Sequence, residues 1–514
     1  MGTLNSIEAA NRQSWRRTFC VVIVAFLPLM LYWTYVYILW PWRWYDCFDP
    51  EGIHYAAGLS MLQGHAPGNV DNPATPLQFL SAILCGISGC GVGDLEQFRP
   101  LAYAITIGLR IVAAIFVVQT IFRDLPMAWQ IALLWLPWLA PDYSFMSRQW
   151  CPETLYFPLG MFAIVALNRA FIDVNRWQLM LLAGAAIGVM IGVKFIFVAW
   201  AVAALLAVAI SQRPPGAAKS NLALAGGLIL GFVIATLPAV ARYPRMFDWI
   251  VGLASKTGQY GSGPEGLLDP GKVAENLSEI IRHQTVWTSL VVGILVALVI
   301  RRPRSTLTHF CILAILGSYA LALKHFAPRY LAPTGLMLAL AVVELVRGLD
   351  LKGMKWSGLV AVTVIGLLLG KSLAFDMEVH KAYVAERRDS EELLTEFLTQ
   401  HGRTSDSVIL YGWRAYVPAF SARFMSHSEA NQFRKEVDAA YPNEGVIVSW
   451  PDHLYYPDGK SMWDFIVVGY EFADRDGLSS LRQHYQNWDV GRYVVIKNVN
   501  LTPPPAAQVT RASP

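Results

Sequence analysis

The chain has 514 residues, of which 55% are hydrophobic and only 15% are charged, and its net charge is +4. Soluble domains carry about 25% charged residues, so the composition excludes an ordinary soluble protein and predicts an integral membrane protein. The small net charge gives no indication of nucleic-acid binding. The six cysteines show neither metal-site spacing nor the pattern of a disulfide-rich secreted domain.

The first predicted element is an apolar run at 19–40, which follows a basic stretch that ends at Arg17. This run is too long for the core of a signal peptide and lacks a small-residue cleavage site, so we predict a retained membrane anchor. Further apolar runs follow along the chain, at 77–92, 100–122, 126–147, 154–171, 178–193, 195–211, 219–241, 286–300, 307–323, 331–346 and 356–374.

Clusters of Lys and Arg between these runs set the predicted topology, because the positive-inside rule places them in the cytoplasm. The loops 41–75, 142–153 and 242–285 then face outward. Only one crossing fits between the first outward loop and Arg123, and the run 77–92 is short and interrupted by glycine. We therefore predict that 77–92 is re-entrant or lies along the membrane. Eleven spans remain, with the N-terminus inside and the C-terminus outside.

Lys194 interrupts the apolar segment 178–211, which favours a hairpin with its turn at the outer surface over one long helix. Beyond 375 the charge density rises and short apolar runs predict strands at 407–411, 465–469 and 493–497. Helices are predicted at 391–400 and 479–485. The predicted fold is therefore mainly α. It consists of a transmembrane helix bundle at 1–375, a small extracytoplasmic α/β domain at 376–500, and a disordered tail at 501–514.

Two carboxylates, Asp49 and Glu51, directly follow the first apolar run, in the stretch Asp-Pro-Glu-Gly-Ile-His-Tyr that ends at Tyr55. Acidic side chains at a membrane surface are costly and are usually retained for function. The alternative is that Asp49 only caps a short interfacial helix. The second outward loop contributes a further carboxylate, Glu153, in the stretch Ser-Arg-Gln-Trp-Cys-Pro-Glu.

The cations in the outward loops are exceptions to the positive-inside rule. Arg148 and Arg329 each lie near a loop proline and an aromatic residue, and Lys194 is flanked by apolar residues. Each cation alone could simply be solvated. Together they indicate a site for an anion at the outer bilayer surface, and a lipid phosphate is the predicted ligand.

Six short motifs, in order, resemble the GT-C superfamily of polytopic glycosyltransferases, within it the protein O-mannosyltransferases and the lipid A aminoarabinose transferase. They cover residues 1 to about 345 and are Asp49-Pro-Glu-Gly with His54-Tyr55, Gly64-His-Ala-Pro67, Pro73-Ala-Thr-Pro-Leu77, Ser147-Arg148 with Glu153, Gly188-Val-Met-Ile-Gly-Val-Lys194, and Pro328-Arg-Tyr-Leu-Ala-Pro333. The third motif departs from the family, because Asn72 leads it instead of a Lys- or His-led Pro-Pro-Leu.

The resemblance implies an enzyme that transfers a sugar from a polyprenyl-phosphate donor to an extracytoplasmic acceptor, at the outer face of a bacterial inner membrane. In this assignment Asp49 is the base, and Glu51 and Glu153 orient the acceptor or tune the base. Arg148, Lys194 and Arg329 bind the donor phosphate. His54, Tyr55 and Tyr330 contact substrate, although His54 could equally be a packing residue. Direct displacement would invert the anomeric centre. A divalent metal is left open, since no His/Asp cluster requires one.

Two other functions stay open at this point. A lipid or glycan transporter or flippase usually shows inverted repeats and paired broken helices, which the sequence lacks. An O-antigen ligase or polymerase uses a large late periplasmic loop, whereas the carboxylates here come early.

One structural link is also predicted: Cys47 and Cys151 lie two residues before Asp49 and Glu153, so a disulfide between them would join the two loops. The alternative is two unlinked thiols.

Overall fold

A computed structural model of the chain describes residues 2–39, 51–67, 70, 73–90, 95–211, 216–257, 264–266, 268–301, 305–400, 408–411, 465–469, 487–490 and 493–497. The described part is mainly helical, as predicted. Its α-helices are α1 Gly2–Leu39, α2 Glu51–Leu62, α3 Thr75–Ser88, α4 Leu95–Thr120, α5 Met127–Trp135, α6 Tyr143–Met146, α7 Tyr156–Ile172, α8 Trp177–Val193, α9 Val198–Ser211, α10 Gly216–Thr236, α11 Tyr243–Ser255, α12 Pro270–His283, α13 Thr285–Arg301, α14 Thr306–Lys324, α15 Ala332–Val346 and α16 Leu351–Gln400.

The chain is a multi-pass membrane protein. Within the described residues, seven helices are long and apolar enough to cross a membrane, or eight if α12 and α13, bent by 96°, form one span. The count of eleven stays a prediction, because it also requires the shorter apolar helices 127–139, 177–193 and 195–211 to cross. Helix α3 has 14 residues and is about 21 Å long, against about 30 Å of hydrocarbon. Its length therefore favours the prediction that 77–92 does not span.

The chain divides into two compact units. The first comprises Met1–Leu39, Val70–Phe79 and Leu101–Glu378, and the second comprises Trp40–Asn69, Leu80–Pro100 and Val379–Pro514. The composition change at 376 does not coincide with the end of a helix, because α16 continues to Gln400. The predicted domain bounds of 1–375 and 376–500 stay a prediction.

Aromatic side chains fill the core of the first unit. Trp138 lies on the 3-10 helix Leu136–Leu139 that continues α5, and it is fully buried. Its ring is 5.2 Å from that of Trp33 in α1 and 5.3 Å from that of Phe157 in α7, measured between ring centroids. These contacts join three helices at the level of the loop 140–155, which carries several predicted site residues.

Helices α8 and α10 pack so closely that their backbones are in contact, at positions occupied by glycine. A Cβ atom built on Gly188 would lie 2.2 Å from the carbonyl oxygen of Leu228, and one built on Gly231 would lie 2.0 Å from that of Ala185. Only glycine fits such an approach, which is common between membrane helices. This packing fixes the C-terminal end of α8, where Lys194 follows.

The described part of the second unit contains α2 and a four-stranded sheet. Tyr55 in α2 is buried and packs on Phe98 with 4.8 Å between ring centroids. The strands are β1 Val408–Tyr411, β2 Phe465–Gly469, β3 Asn487–Val490 and β4 Tyr493–Lys497. Their order is β1-β2-β4-β3, with β1 and β2 parallel in the register Val408 to Phe465. The pairs β2–β4 and β3–β4 are antiparallel.

The three predicted strands coincide with β1, β2 and β4, and the helix predicted at 391–400 lies within α16. Strand β3 was not predicted, because Asn487-Trp-Asp-Val alternates polar and apolar residues over only four positions and lacks the continuous apolar run that indicated the other strands. The helix predicted at 479–485 and the tail at 501–514 lie outside the described residues. The α/β character of the C-terminal domain as a whole stays a prediction.

Candidate functional site

Lys194 lies where an apolar helix stops. Helix α8 ends at Val193, Lys194 is extended (φ −159°, ψ 134°), and a 3-10 helix Phe195–Phe197 leads into α9. The predicted interruption at this residue is therefore confirmed. Its side chain is only 6% exposed, so its ammonium group requires a partner within the protein.

That partner is Glu153. The stretch Cys151-Pro152 stops regular structure, and Glu153 is the second residue of the 3-10 helix Pro152–Leu155. Lys194 Nζ donates a hydrogen bond to Glu153 Oε1, and the Glu153 side chain is 1% exposed. Two sequence-predicted site residues, which are far apart in the chain, thus form a buried ion pair.

Arg329 and Tyr330 complete what we call the Lys194 cluster, defined as Glu153, Lys194, Arg329 and Tyr330. Both lie on the 3-10 helix Pro328–Leu331 and are half-buried. Lys194 Nζ is 5.4 Å from the centroid of the Tyr330 ring, and Arg329 Cζ is 5.7 Å from it. Arg329 also lies within electrostatic range of the Glu153 carboxylate. Two cations against one carboxylate leave one positive charge in excess.

The proline motif at 73–77 lies against the same turn. The amide N–H of Ala74 donates to the carbonyl oxygen of Val193 over 3.1 Å, and Thr75 Oγ1 donates to the Pro73 carbonyl over 3.0 Å. Ala74 adopts φ +44°, a left-handed conformation that an alanine adopts only at some cost. Four of the six short motifs therefore meet around Lys194.

Tyr156 and Arg110 belong to this region and were not predicted from the sequence. The Tyr156 hydroxyl is buried, has no hydrogen-bond partner among the described residues, and lies within electrostatic range of Glu153 and Arg329. Arg110 is fully buried in α4. Its guanidinium Cζ is 4.8 Å from the Trp33 ring centroid and 5.4 Å from that of Trp138, and it donates to the carbonyl of Ser147.

Arg148, a predicted phosphate ligand, has different neighbours. Its Cζ atom is 4.7 Å from the ring centroid of Phe145 and 5.7 Å from that of Tyr32. Its guanidinium group also lies within electrostatic range of the Asp376 carboxylate in α16. Ser144 Oγ donates a hydrogen bond to Asp376 Oδ2. These contacts define a Tyr32 cluster, which comprises Tyr32, Asp142, Ser144, Arg148 and Asp376.

Asp142 belongs to the Tyr32 cluster through Asp376 and also lies within electrostatic range of Arg329 in the Lys194 cluster. Its backbone has φ +55°, and its carboxylate makes no capping hydrogen bond to the short helix α6 that follows. The residue is exposed, yet the surrounding protein and then the charge of Asp376 raise the pKa of its carboxyl group, while Arg329 acts in the opposite direction. A solvent-exposed carboxylate within electrostatic range of Arg329 can accept hydrogen bonds from a ligand.

The remaining predicted site residues that the structure describes, Glu51, His54 and Tyr55, belong to the second unit. Asp49 lies outside the described residues, and Glu51 is the first residue of α2. His54 and Tyr55 are buried in α2, in the second unit. Cys151 is buried and donates through Sγ to the Met146 carbonyl over 3.0 Å. Cys47 lies outside the described residues, so the Cys47–Cys151 disulfide stays a prediction.

Metal binding is not indicated by the described side chains, since no three His, Cys, Asp or Glu residues among them come together in a way that could hold an ion. The Lys194 cluster, by contrast, offers two cations beside an aromatic ring. Such an arrangement suits an anion that can compete with Glu153 for Lys194.

Comparison with known proteins gives one finding. No protein-family model and no curated protein matches the sequence. Crystal structures of ArnT from Cupriavidus metallidurans do match in structure. The complex with undecaprenyl phosphate has a TM-score of 0.53 and 16% identity over 93% of this chain and 98% of that chain. The apo form has a TM-score of 0.54 and 15% identity over the same shares. The expected GT-C fold is thus confirmed: the chain has the fold of the ArnT structures.

Proposed function

We propose that the chain is a membrane glycosyltransferase that moves a sugar from a polyprenyl-phosphate donor to an extracytoplasmic acceptor. The observation that carries this proposal is the Lys194 cluster, where the buried Glu153–Lys194 pair, Arg329 and Tyr330 meet the proline motif. The ArnT crystal structure with undecaprenyl phosphate supports it, because that protein has the same fold and binds such a lipid.

The excess positive charge of the Lys194 cluster fits a glycosyl phosphate. The donor carries one negative charge, and a second develops on the phosphate oxygen as the bond to the sugar breaks. Fixed cations in a dry site stabilise such developing charge more than water does. Lys194 and Arg329 would supply them. Lys194 must then exchange part of its hydrogen bonding from Glu153 to the phosphate.

Asp49 is the proposed base. It would accept the proton of the acceptor hydroxyl or amine as that group attacks the anomeric carbon, and the electron pair of the broken bond would pass to the phosphate. One direct displacement inverts the anomeric centre. Glu51 and Glu153 are proposed to orient the acceptor, and Arg148 stays a proposed phosphate ligand, although its observed neighbours also suggest the different role argued below.

Binding of the lipid is tested with undecaprenyl phosphate and the full chain in nanodiscs by native mass spectrometry. Lys194→Met and Arg329→Met should each weaken binding about tenfold or more, since each removes a charged hydrogen-bond donor. Lys219→Met and Arg282→Met, at exposed positions, are the matched controls. Equal binding by all four variants would contradict the proposed phosphate site.

Transfer itself is tested by mass spectrometry of cell-envelope glycans with and without the gene. Asp49→Asn should remove the same glycan modification as deletion, whereas Asp248→Asn in the exposed part of α11 should not. A flippase or transporter would bind the lipid but keep its activity in Asp49→Asn. If Glu51→Gln loses transfer while Asp49→Asn keeps it, the roles of the two carboxylates are reversed.

A further inference from the structure

The Tyr32 cluster lies on three separate elements of the first unit. Tyr32 comes from α1, Ser144 and Arg148 from the loop region 140–155, and Asp376 from α16. The hydrogen bond from Ser144 to Asp376 and the stacking of Arg148 on Phe145 and Tyr32 hold these elements together. Apart from Arg148, which is a proposed phosphate ligand, the proposed chemistry of Asp49 and the Lys194 cluster uses none of these groups.

The hydroxyl of Tyr32 is the unexplained feature of this cluster. Tyr32 is 8% exposed, and its hydroxyl is buried without a hydrogen-bond partner among the described residues. The same hydroxyl lies within electrostatic range of Asp376 and Arg148. Buried polar atoms are almost always paired with protein, water or ligand. A ligand group beside Asp376 would supply the missing partner.

Asp142 adds a second hydrogen-bond acceptor that is open to solvent. Its backbone is left-handed, and its side chain makes no capping hydrogen bond to α6. Asp376 and Arg329 both lie within electrostatic range of its carboxylate. Arg329 therefore links the Tyr32 cluster to the Lys194 cluster, so that a group bound beside Asp142 is near a phosphate bound beside Arg329.

The charges and hydrogen-bonding groups select the chemical class of ligand. The carboxylates of Asp142 and Asp376 repel an anionic ligand. The guanidinium groups of Arg148 and Arg329 repel a cationic one. The group as a whole is balanced and offers both donors and acceptors. A neutral sugar has several hydroxyl groups that can both donate and accept hydrogen bonds, and each carboxylate can accept from two of them.

We propose that Tyr32, Asp142 and Asp376 form a subsite that binds the hydroxyl groups of a sugar. This inference rests on the proposed function and deepens it, because it names the residues that would contact the sugar. The sugar could belong to the donor or to the acceptor. The shared chemistry is recognition of ring hydroxyls, and the experiment below separates the two sources.

The full chain in nanodiscs is titrated with two panels of probes. Farnesyl phosphates of arabinose, mannose, glucose and galactose represent the donor, and the methyl glycosides of the same sugars represent the acceptor. Binding is followed by saturation-transfer NMR, and undecaprenyl phosphate binding is measured in parallel. Tyr32→Phe keeps the aromatic contacts and removes only the hydroxyl, and Tyr35→Phe, at an exposed position of the same helix, is the matched control.

At least one sugar should bind the wild-type protein, and Tyr32→Phe should weaken it about three- to tenfold, as expected for one neutral hydrogen bond. Asp142→Asn should weaken it further, and Tyr35→Phe should not. Loss confined to the farnesyl phosphates identifies a donor subsite, and loss confined to the methyl glycosides identifies an acceptor subsite. Undecaprenyl phosphate binding should be unchanged in Tyr32→Phe.

Two results would overturn the subsite. One is that no sugar of either panel binds while undecaprenyl phosphate does. The other is that Tyr32→Phe and Asp142→Asn bind every sugar as the wild type does. Neither result affects the phosphate site. Failure of the proposed function is seen separately, as absence of undecaprenyl phosphate binding in the wild-type protein.

Discussion

Lys194 donates a hydrogen bond to the carboxylate of Glu153, and both side chains are almost completely buried. Both ionised groups are removed from water, and each charge is compensated chiefly by the other. A buried pair of this kind contributes little when compared with apolar residues, but removing one partner is strongly destabilising. The pair can therefore be tested apart from activity.

Glu153→Gln should lower the free energy of unfolding by about 3–5 kcal/mol, because the buried ammonium of Lys194 loses its counter-charge. Unfolding by SDS titration in mixed micelles measures this change. The double variant Glu153→Gln with Lys194→Met should be more stable than Glu153→Gln alone. Asp173→Asn is the control, since the Asp173–Arg176 pair is exposed at 41% and 71% and should contribute at most about 1 kcal/mol.

Gly188 should tolerate no side chain. An added Cβ would lie 2.2 Å from the carbonyl oxygen of Leu228, so Gly188→Ala must push α8 away from α10, at a cost of about 1–3 kcal/mol. The displaced end of α8 carries Lys194, so binding of undecaprenyl phosphate should weaken as well. Gly108→Ala in α4 meets nothing within 4 Å and should be neutral or slightly stabilising. Equal stability of the two variants would contradict the close packing.

Much of the fold follows from patterns that are local in sequence. The apolar runs predict the helices, and the charge at Lys194 correctly predicts the interruption between α8 and α9. Lys194 and Glu153 could each be identified as site residues. Their contact could not be predicted, because it depends on how α7 and α8 pack, and no short-range pattern encodes that arrangement.

Other groups escaped prediction for physical reasons. Arg110 lies inside an apolar run, where a single cation has no local sign of its partner, and its contacts come from Trp33, Trp138 and the Ser147 carbonyl. Asp376 lies where the composition changes, inside the continuous helix α16. No local pattern indicates its hydrogen bond with Ser144 within the first unit.

Arg110 should be required for the shape of the loop that carries Glu153. Arg110→Met removes the hydrogen bond to the Ser147 carbonyl and the stacking on two tryptophans. A charged hydrogen bond contributes about 1.5–3 kcal/mol and a desolvated cation–π contact about 2 kcal/mol. We expect measurable destabilisation and weaker undecaprenyl phosphate binding. Arg123→Met, at an exposed position, should change neither quantity, and normal lipid binding by Arg110→Met would refute this role.

Asp142 should make stability depend on pH in a defined direction. Its carboxyl pKa is raised in the folded state, first because the surrounding protein partly desolvates the carboxylate and then by the charge of Asp376, so the folded protein binds a proton more tightly than the unfolded chain does. Ionised Asp142 therefore opposes folding at neutral pH. This opposition fades as the pH falls through the raised pKa towards about 3.9, the unperturbed value.

Asp142→Asn removes this charge and suits the left-handed backbone, because asparagine adopts positive φ more readily than most residues. The variant should therefore melt at a higher temperature than the wild type at pH 7, and the difference should shrink as the pH falls towards 4. Asp124→Asn, at an exposed position near the end of α4, is the matched control. Melting curves of the variant and the wild type at several pH values measure this difference. A gain in melting temperature that is independent of pH would mean that the backbone, and not the charge, is the source.

Under the proposed sugar subsite the stabilised variant should also bind sugar more weakly, so that stability and binding change in opposite directions at this one carboxylate.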